Sequence, residues 1–457
     1  MRKIIILISI SMIVVFLFGV SAAAEVTNSD PWLVNNNINW RQFEGQSLSV
    51  LVLPHAYTLA LKPLVPIFEE LTGISVGYEM IGESELRRKR QIDLASKSGL
   101  YDVVAVGLTY MGEASLGGWL EDLYPLINDT SLTDAEWYNL NGIGKSFIQM
   151  LERDGKLLAL PIGPSAPIFW YRKDLFDKYG IKVPDTYEEV ITMKEKLQKA
   201  MENDGLENIY AFTTRAMRGA GRNTWTTTAC IRAYGGDVLD ENYNCVLTSP
   251  EAIKAIGVYK DMITGYGCPP GSEAMGFYEI VDMFSSGQLA SMIAGVDHIV
   301  FINDPSKSKV ADKWEGALIP RGPVARMTSP WAWSLAINSS SKVKKEAWLF
   351  LQWASSQATM ELLGTTISPS RLEVWDSEKF KGLNRPGWIE AAKWSWSEGT
   401  LSIFRSGLPE FPEIGEIASV AYSNIFFGGS IEENLSEACK KINNVMATGP
   451  TKQHMKK

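Results

Sequence analysis

The side chains that most often carry out enzymatic chemistry are sparse in this sequence. Three histidines occur in the 457 residues, His55, His298 and His454, and no two of them lie at the spacing of metal ligands. The sequence therefore offers few residues that could form a Ser-His-Asp or Cys-His catalytic site. The nearest approach to a nucleophile elbow is segment 113–117, EASLG, which lacks the first glycine of the G-x-S-x-G motif.

Two further segments resemble binding motifs but depart from their patterns. Residues 219–224, GAGRNT, lack the last glycine of the dinucleotide-binding pattern, so a flexible loop is the better interpretation. Residues 237–242, DVLDEN, lack the ligand spacing and the final glutamate of a calcium-binding EF-hand loop. The 52 acidic residues leave a glycosidase pair of carboxylates open, but the sequence favours no particular pair. We therefore expect a protein that is not an enzyme and that needs neither a cofactor nor a metal ion.

Tryptophan, in contrast, is abundant. The 15 tryptophans all lie beyond residue 31, and many are beside predicted turns or strand ends. An indole ring has a flat apolar face and a polar edge, which suits the C–H face of a sugar while polar side chains bind the hydroxyls. We expect Trp119, Trp348 and Trp353 to pack in the core instead.

The first 24 residues have the three-part layout of a secretory signal peptide. Arg2 and Lys3 precede an uncharged apolar stretch over 4–20, and small residues stand at Ala22 and Ala24 for the peptidase. An uncleaved membrane anchor is the alternative, because the apolar stretch approaches the ~17 to 20 residues that span a bilayer. Cleavage is favoured, since an anchor does not need the Ala-x-Ala ending. We expect a soluble exported protein, free in an enclosed space such as a periplasm.

The net charge limits the classes of partner that the protein is expected to bind. Removal of residues 1–24 takes away two bases and no acid, which lowers the formal net charge from −8 to −10. A negative, well-mixed charge disfavours nucleic acid and anionic membranes as partners.

The four cysteines, Cys230, Cys245, Cys268 and Cys439, allow one or two disulfides in an exported chain. Cys245 and Cys268 flank a predicted helix over 249–264 that could fold back and bring them together. Buried free thiols are the alternative.

Alternating strand and helix patterns predict an α/β protein. Residues 47–53, SLSVLVL, form a short β-favouring run, a helical pattern follows to Thr72-Gly73, and a second strand begins at Ile74. This β-α-β order implies a parallel sheet. The nearly all-apolar segment 101–107 is typical of a strand that is buried on both faces.

The length predicts two lobes. Roughly 430 residues follow the signal peptide, and single cores usually divide beyond ~250 to 300 residues. Because no Gly/Pro/Ser-rich linker divides the chain, we expect the lobes to be joined by ordered crossings, with a cleft and a hinge between them.

Segments 160–161 (LP), 169–176 (FWYRKDLF) and 184–189 (PDTYEE) resemble the family 1 extracellular solute-binding proteins, the group that contains the maltose-binding protein. Further similar segments follow the order found in that family: 102–104 (DVV), 118–123 (GWLEDL), 235–237 (GGD), 249–252 (SPEA), 284–292 (FSSGQLASM), 333–338 (WSLAIN) and 368–371 (SPSR). The resemblance covers essentially the whole chain after the signal peptide.

The resemblance implies a type II periplasmic-binding-protein fold with a hinge. Lobe one would comprise 40–168 with 335–375, and lobe two would comprise 169–334 with 376–450. The protein would be the substrate-binding component of an ABC importer, a monomer that binds a carbohydrate and meets a membrane permease. The alternatives are the same fold with a peptide or an anion as ligand, or a secreted carbohydrate-active enzyme.

The resemblance also implies which residues contact the ligand, because in this family the ligand lies between the lobes. These are residues at strand-to-helix turns and at the crossings between lobes: His55, Tyr57, Tyr110, Trp170, Tyr171, Asn223, Trp225, Asp297, Trp331, Trp333 and Arg371. Two departures from the family leave the size of the ligand open among a monosaccharide, a polyol and a short oligosaccharide. Residues 330–333, PWAW, replace a common Gly-Gly, and His298 stands where an aromatic residue is frequent.

Overall fold

Two β-sheets organise the structure, a computed structural model that describes residue 32 and the ranges 36–364, 367–400, 402–405 and 407–451. The predicted signal peptide, residues 1–24, lies outside the described residues. The strands are β1 (Ser47–Val52), β2 (Ser75–Met80), β3 (Val103–Gly107), β4 (Glu152–Arg153), β5 (Lys156–Leu157), β6 (Leu160–Ser165), β7 (Pro167–Arg172), β8 (Thr213–Thr214), β9 (Ser291–Gly295), β10 (Trp314–Ala317) and β11 (Trp331–Ile337).

Helices cover both sheets and alternate with the strands along most of the chain. They are α1 (Ala56–Leu61), α2 (Val65–Thr72), α3 (Glu83–Ser96), α4 (Met111–Gly117), α5 (Tyr124–Ile127), α6 (Ala135–Tyr138), α7 (Lys145–Leu151), α8 (Lys173–Tyr179), α9 (Tyr187–Asn203), α10 (Asn223–Ala233), α11 (Pro250–Ile263), α12 (Phe277–Ser285), α13 (Ile299–Ile302), α14 (Lys344–Ala354), α15 (Gln357–Leu363), α16 (Leu372–Asp376), α17 (Glu378–Leu383), α18 (Pro386–Glu398), α19 (Phe411–Phe426) and α20 (Ile431–Thr448).

The first sheet has the strand order β2-β1-β3-β11-β6. Strand β1 pairs in parallel with β2 and β3, so the predicted β-α-β unit at the start of the chain is present. Strand β3 is buried along its whole length, as its apolar sequence predicts. Strand β11 runs antiparallel to both of its neighbours, because the chain returns to this sheet from the second one.

The second sheet has the order β10-β7-β9-β8. The chain passes from the first sheet to the second across one residue: β6 ends at Ser165, β7 begins at Pro167, and Ala166 between them is fully buried. This short passage brings the ends of strands from the two sheets close together. The junction between the sheets is therefore the natural place for a cleft.

Side chains cap the starts of two helices. Thr186 accepts a hydrogen bond from the backbone N–H of Glu189 at 3.1 Å, as expected for the start of α9. The Glu189 carboxylate, however, accepts from the backbone N–H of Asp185 at 2.7 Å, one residue before the cap. Ser249 caps α11 by accepting from Ala252 N at 3.2 Å, as its Ser-Pro sequence predicts.

The proposed pairing of Cys245 with Cys268 is wrong, because Cys245 forms a disulfide with Cys439. Helix α11 separates the first two cysteines, and its 14 residues hold its ends about 21 Å apart. Cys268 instead lies 3.3 Å from Lys194 Nζ as a free thiol. The fourth cysteine, Cys230, is also free and is buried.

Within the described ranges, no helix combines the length and apolar composition that crossing a membrane requires.

Candidate functional site

A cavity of about 310 Å³ lies where strands of the two sheets end. This volume is at the lower end of the range for small-molecule sites, about 300 to 1,000 Å³. Its walls come from the turn after β1, the end of β6, the turn after β9 and the start of β11. The lining residues are Leu53, Pro54, His55, Glu83, Ser84, Arg87, Thr109, Ser165, Arg215, Met217, Ala220, Gly221, Arg222, Trp225, Gly276, Phe277, Tyr278, Glu279, Asp297, Trp331, Trp333 and Arg405.

Five of the predicted ligand-contact residues line this cavity together: His55, Trp225, Asp297, Trp331 and Trp333. They come from both sheets and from α10. The indole N–H of Trp225 donates to the Ser329 carbonyl at 2.7 Å, which holds this ring in place. Trp331 and Trp333 meet edge to face, with their ring centroids 6.2 Å apart. The cavity thus has aromatic walls and a carboxylate.

The other six predicted residues do not line the cavity. Two of them, Tyr57 and Trp170, have side chains that are directed into the core. Both are fully buried. The Tyr57 hydroxyl donates to the Ala354 carbonyl. The Trp170 indole N–H donates to the Ala294 carbonyl at 3.2 Å, within the second sheet. Every hydrogen-bonding group of these two side chains is thus used inside the protein.

Tyr110 and Tyr171 make packing contacts away from the cavity. The ring of Tyr110 lies 4.8 Å from the Arg87 guanidinium and 4.9 Å from that of Arg90. Tyr110 lines a neighbouring crevice of about 730 Å³, which is larger but contains no tryptophan. Tyr171 lies on the opposite side of β7 from Trp170 and packs on Phe176, with ring centroids 4.8 Å apart.

Asn223 and Arg371 have structural partners instead. The Asn223 side-chain amide donates to the Ser419 carbonyl at 3.1 Å. The Arg371 guanidinium is fully buried and donates to three backbone carbonyls, at 2.6 Å to Ser355, 2.7 Å to Tyr138 and 3.0 Å to Asn139. It therefore joins α6, α14 and the turn before α16.

Asp297 is the most connected polar residue of the cavity. Its Oδ1 atom accepts a hydrogen bond from the Ser165 hydroxyl and lies 3.3 Å from His298 Nδ1, while Oδ2 lies 3.4 Å from His55 Nε2. Burial by itself would raise the pKa of Asp297, but the hydrogen bonds from His298 and His55 outweigh it and hold this pKa well below its ordinary value. Burial lowers the pKa of His298, and the neighbouring Asp297 opposes that change.

Two glycines make room for this cluster. A Cβ atom at Gly295 would lie 2.2 Å from Asp297 Oδ1 and 2.5 Å from the Ser165 hydroxyl oxygen. A Cβ atom at Gly163 would lie 2.7 Å from His55 Cε1. Any larger side chain at either position would displace the polar groups, since these distances are far below van der Waals contact.

Arg215, Arg405 and Phe277 line the cavity but were not predicted. Arg215 directly follows β8, a strand too short to be recognised from its two residues. Arg405 ends the 3₁₀ turn Ile403–Arg405 and is 2% exposed. A recognised β8 would have indicated Arg215 as a strand-end residue, whereas nothing local marks Arg405.

Comparison with known proteins agrees with this architecture. Residues 30–361 match the model of the bacterial extracellular solute-binding protein family. The chain is 29% identical over 324 residues to the mannitol-binding protein of Pseudomonas aeruginosa, which covers 70% of this chain and 71% of that protein. It is 28% identical over 367 residues to the erythritol/L-threitol-binding protein of Mycolicibacterium smegmatis, with 75% and 74% covered.

Solved structures show the same fold. A solute-binding protein of Agrobacterium vitis with bound D-mannitol aligns with a TM-score of 0.77 and 25% identity, over 89% of this chain and 100% of that one. A solute-binding protein of Agrobacterium radiobacter in complex with ribitol aligns with a TM-score of 0.77 and 24% identity, over 88% and 99%. The predicted two-lobed α/β fold is confirmed. The chain belongs to the family of bacterial extracellular solute-binding proteins, which are binding proteins and not enzymes.

Proposed function

We propose that this protein binds a carbohydrate or polyol of monosaccharide size between its two lobes and delivers it to the membrane permease of an ABC importer. The observation that carries the proposal is the tryptophan-lined cavity at the junction of the sheets, with Asp297 in its wall. Indole faces suit the C–H groups of a polyol, and a buried carboxylate accepts hydrogen bonds from hydroxyls. The ligands named for the two sequence relatives are small polyols as well.

The volume of the cavity favours a small ligand over an oligosaccharide. About 310 Å³ is little more than the smallest volume of typical ligand sites. Trp331 and Trp333 occupy space that the common Gly-Gly pair would leave open, which agrees with a short site. Closure of the lobes around the ligand requires that the ligand contact both lobes. A ligand shifts the equilibrium from the open to the closed form only if it binds the closed form more tightly.

We propose lobes of 40–168 with 335–375 and of 169–334 with 376–450. The passage from β6 to β7 at Ala166 supports the first crossing. Strand β11 joins the first sheet from Trp331 onward, which favours a second crossing about four residues earlier than 335. Helix α18 supports a third crossing near its position, since Trp388 Nε1 donates to the Val296 carbonyl at 3.1 Å and Trp396 packs on Phe147.

The remaining parts of the proposal concern the cellular context. We propose that residues 1–24 are a cleaved signal peptide, that the protein acts in the periplasm, and that it is a monomer. Membership of an extracellular family supports export. Mass spectrometry of the exported protein would show a first residue of Glu25 if the cleavage is as proposed, and light scattering would report its mass in solution.

Thermal unfolding of the protein lacking residues 1–24 tests the ligand class, because a ligand that binds only the folded state raises the midpoint. The panel contains D-mannitol, ribitol, erythritol, glucose, maltose, sugar acids, amino acids and short peptides. A rise with a carbohydrate or polyol that is recovered unchanged is the expected result. A rise with peptides or amino acids alone would refute the proposed ligand class, and consumption of the sugar would indicate an enzyme.

A further inference from the structure

Two arginines from distant parts of the sequence meet at the cavity. Arg215 follows β8, and Arg405 lies 190 residues later at the end of a 3₁₀ turn. The Arg215 guanidinium carbon lies 4.4 Å from the centroid of the Trp225 ring and 5.0 Å from that of Phe277. The Arg405 guanidinium carbon lies 5.9 Å from the Trp331 ring. Both charges are thus held against the aromatic walls of one space.

Among the described residues, neither guanidinium has a carboxylate at ion-pair distance. In the part of the chain that the structure describes, the Nε atoms of both Arg215 and Arg405 are buried without a hydrogen-bond partner. The Thr224 hydroxyl oxygen lies 3.4 Å from Arg405 Nη1. Burying a cation without a counter-charge is costly. An anion in the cavity would remove that cost.

The two charges also oppose one another. Burial lowers the pKa of Arg215 to about 10. Burial lowers the pKa of Arg405 to about 9, and repulsion from Arg215 adds to this change. Like charges that are brought together at a ligand cavity favour a ligand of the opposite charge.

Each carboxylate that lines the cavity already has an interaction partner inside the protein. Asp297 is held by Ser165 and by the two neighbouring histidines. Glu83 pairs with Arg87, and Glu279 accepts from the backbone N–H of Gly276 at 3.0 Å at the start of α12. The lining contains four arginines, Arg87, Arg215, Arg222 and Arg405, and three carboxylates, Glu83, Glu279 and Asp297, which leaves one positive charge without compensation. A single carboxylate matches this surplus, whereas a phosphate carries nearly two charges at neutral pH.

We propose that the ligand is a sugar acid of monosaccharide size, whose carboxylate binds Arg215 and Arg405 while its hydroxyl-bearing carbons lie against the tryptophans. This assignment rests on the proposed function and narrows its ligand class. The planar guanidinium binds a carboxylate through paired hydrogen bonds, which are charge-assisted and stronger than bonds to neutral hydroxyls. Asp297, which lines the same cavity, accepts hydrogen bonds from the hydroxyl groups.

Titration calorimetry of the protein without residues 1–24 compares matched ligands: D-mannonate with D-mannitol, and D-ribonate with ribitol. Each pair has the same carbon skeleton and differs in one carboxylate. The expected result is that at least one acid binds about tenfold or more tightly than its neutral partner. Equal or tighter binding of the neutral compounds would overturn this inference and leave the proposed function intact. No binding of any acid, polyol or sugar in the wider panel would contradict both.

Sugar phosphates form a further arm of the experiment. Mannose 6-phosphate that binds more tightly than every sugar acid would overturn the carboxylate assignment, because the site would then accommodate a second negative charge. The expected result is weaker binding of the phosphate than of the preferred acid.

Substitutions test whether the ligand carboxylate binds Arg215 and Arg405. Arg215→Gln and Arg405→Gln should each lower the affinity for the preferred acid about tenfold or more and change that of its neutral partner far less. An equal loss for both would mean that the arginines bind hydroxyls, and would overturn the inference. Arg218→Gln is the matched control, since Arg218 lies three residues from Arg215 but is exposed and paired with Glu416. The comparison of ligands on the unmodified protein holds even if one variant fails to fold.

Discussion

His55 Nε2 lies 3.4 Å from Asp297 Oδ2, and this contact joins the end of β1 in the first sheet to the end of β9 in the second. His55 lies three residues after the end of β1, and Asp297 lies two residues after the end of β9. Ser165, the last residue of β6, bonds the other oxygen of the same carboxylate. One buried carboxylate therefore ties three strand ends together at the wall of the cavity.

Asp297→Asn should lower the free energy of unfolding by roughly 1 to 3 kcal/mol, because the amide leaves donors from Ser165, His298 or His55 without an acceptor. Denaturant titration at neutral pH measures this change. Asp177→Asn is the matched control, since Asp177 lies on the exposed face of α8 and pairs with the exposed Lys173. Equal stability of the Asp297 variant and the control would contradict the role assigned to this carboxylate.

Stability should fall as the pH drops below about 6.5. The pKa of His298 is lowered by burial, so the unfolded chain takes up a proton at a pH where the folded protein does not. The stabilisation is fully present above the unfolded pKa of about 6.5 and decreases below it. The lowered pKa of Asp297 predicts a second loss of stability below about pH 4 by the same relation.

Denaturant titrations between about pH 5 and pH 7.5 test the contribution of His298. His298→Gln keeps a hydrogen-bond donor beside Asp297 but does not titrate, so its profile should be flatter than that of the unmodified protein. Parallel profiles for the two proteins would show that another group is responsible.

Trp331→Ala should weaken binding of the preferred carbohydrate about tenfold, because it removes one aromatic wall of the cavity. Trp331→Phe should restore part of this loss. Trp119→Ala provides the control: Trp119 is also partly buried, but it lies beside Gly117 and outside the cavity lining. Calorimetry on the three variants separates loss of a ligand contact from a general loss of stability.

Gly295→Ala should destabilise the protein by about 1 to 3 kcal/mol and weaken ligand binding, because the added methyl group would occupy the space of the Asp297 and Ser165 oxygens. Gly382→Ala should change the stability by no more than about 1 kcal/mol and could increase it. Nothing lies within 4 Å of a Cβ atom there, and alanine favours α17. Similar effects at both sites would refute the steric argument.

Reduction of the Cys245–Cys439 disulfide should lower the free energy of unfolding by about 2 to 5 kcal/mol, since the bond closes a loop across 194 positions of sequence. Cys439→Ala should show the same loss and no longer respond to a reducing agent. Cys268→Ala, which removes a free thiol, should keep the response. Insensitivity of the unmodified protein to reduction would contradict this prediction.

The sequence by itself determined the α/β class, the first parallel unit and the family. These depend on local signals, such as the period of apolar residues, the Ser-Pro start of α11 and the order of short motifs along the chain. It also predicted His55, Asp297 and Trp331 as residues that border the cleft, because each lies near the start or end of a strand, and all three line the cavity.

The tertiary structure alone decided which side chains face the cavity. Tyr57, Trp170 and Arg371 occupy sequence positions from which a cleft contact was expected. Their side chains are instead directed into the core, where each donates a hydrogen bond to a backbone carbonyl. Cys245 and Cys439 meet because α20 packs beside the turn that holds Cys245, and no local pattern encodes that contact. Arg215 and Arg405 converge for the same reason. Which groups face one another across a cleft depends on how distant elements pack. The spacing of residues along the chain does not predict that packing.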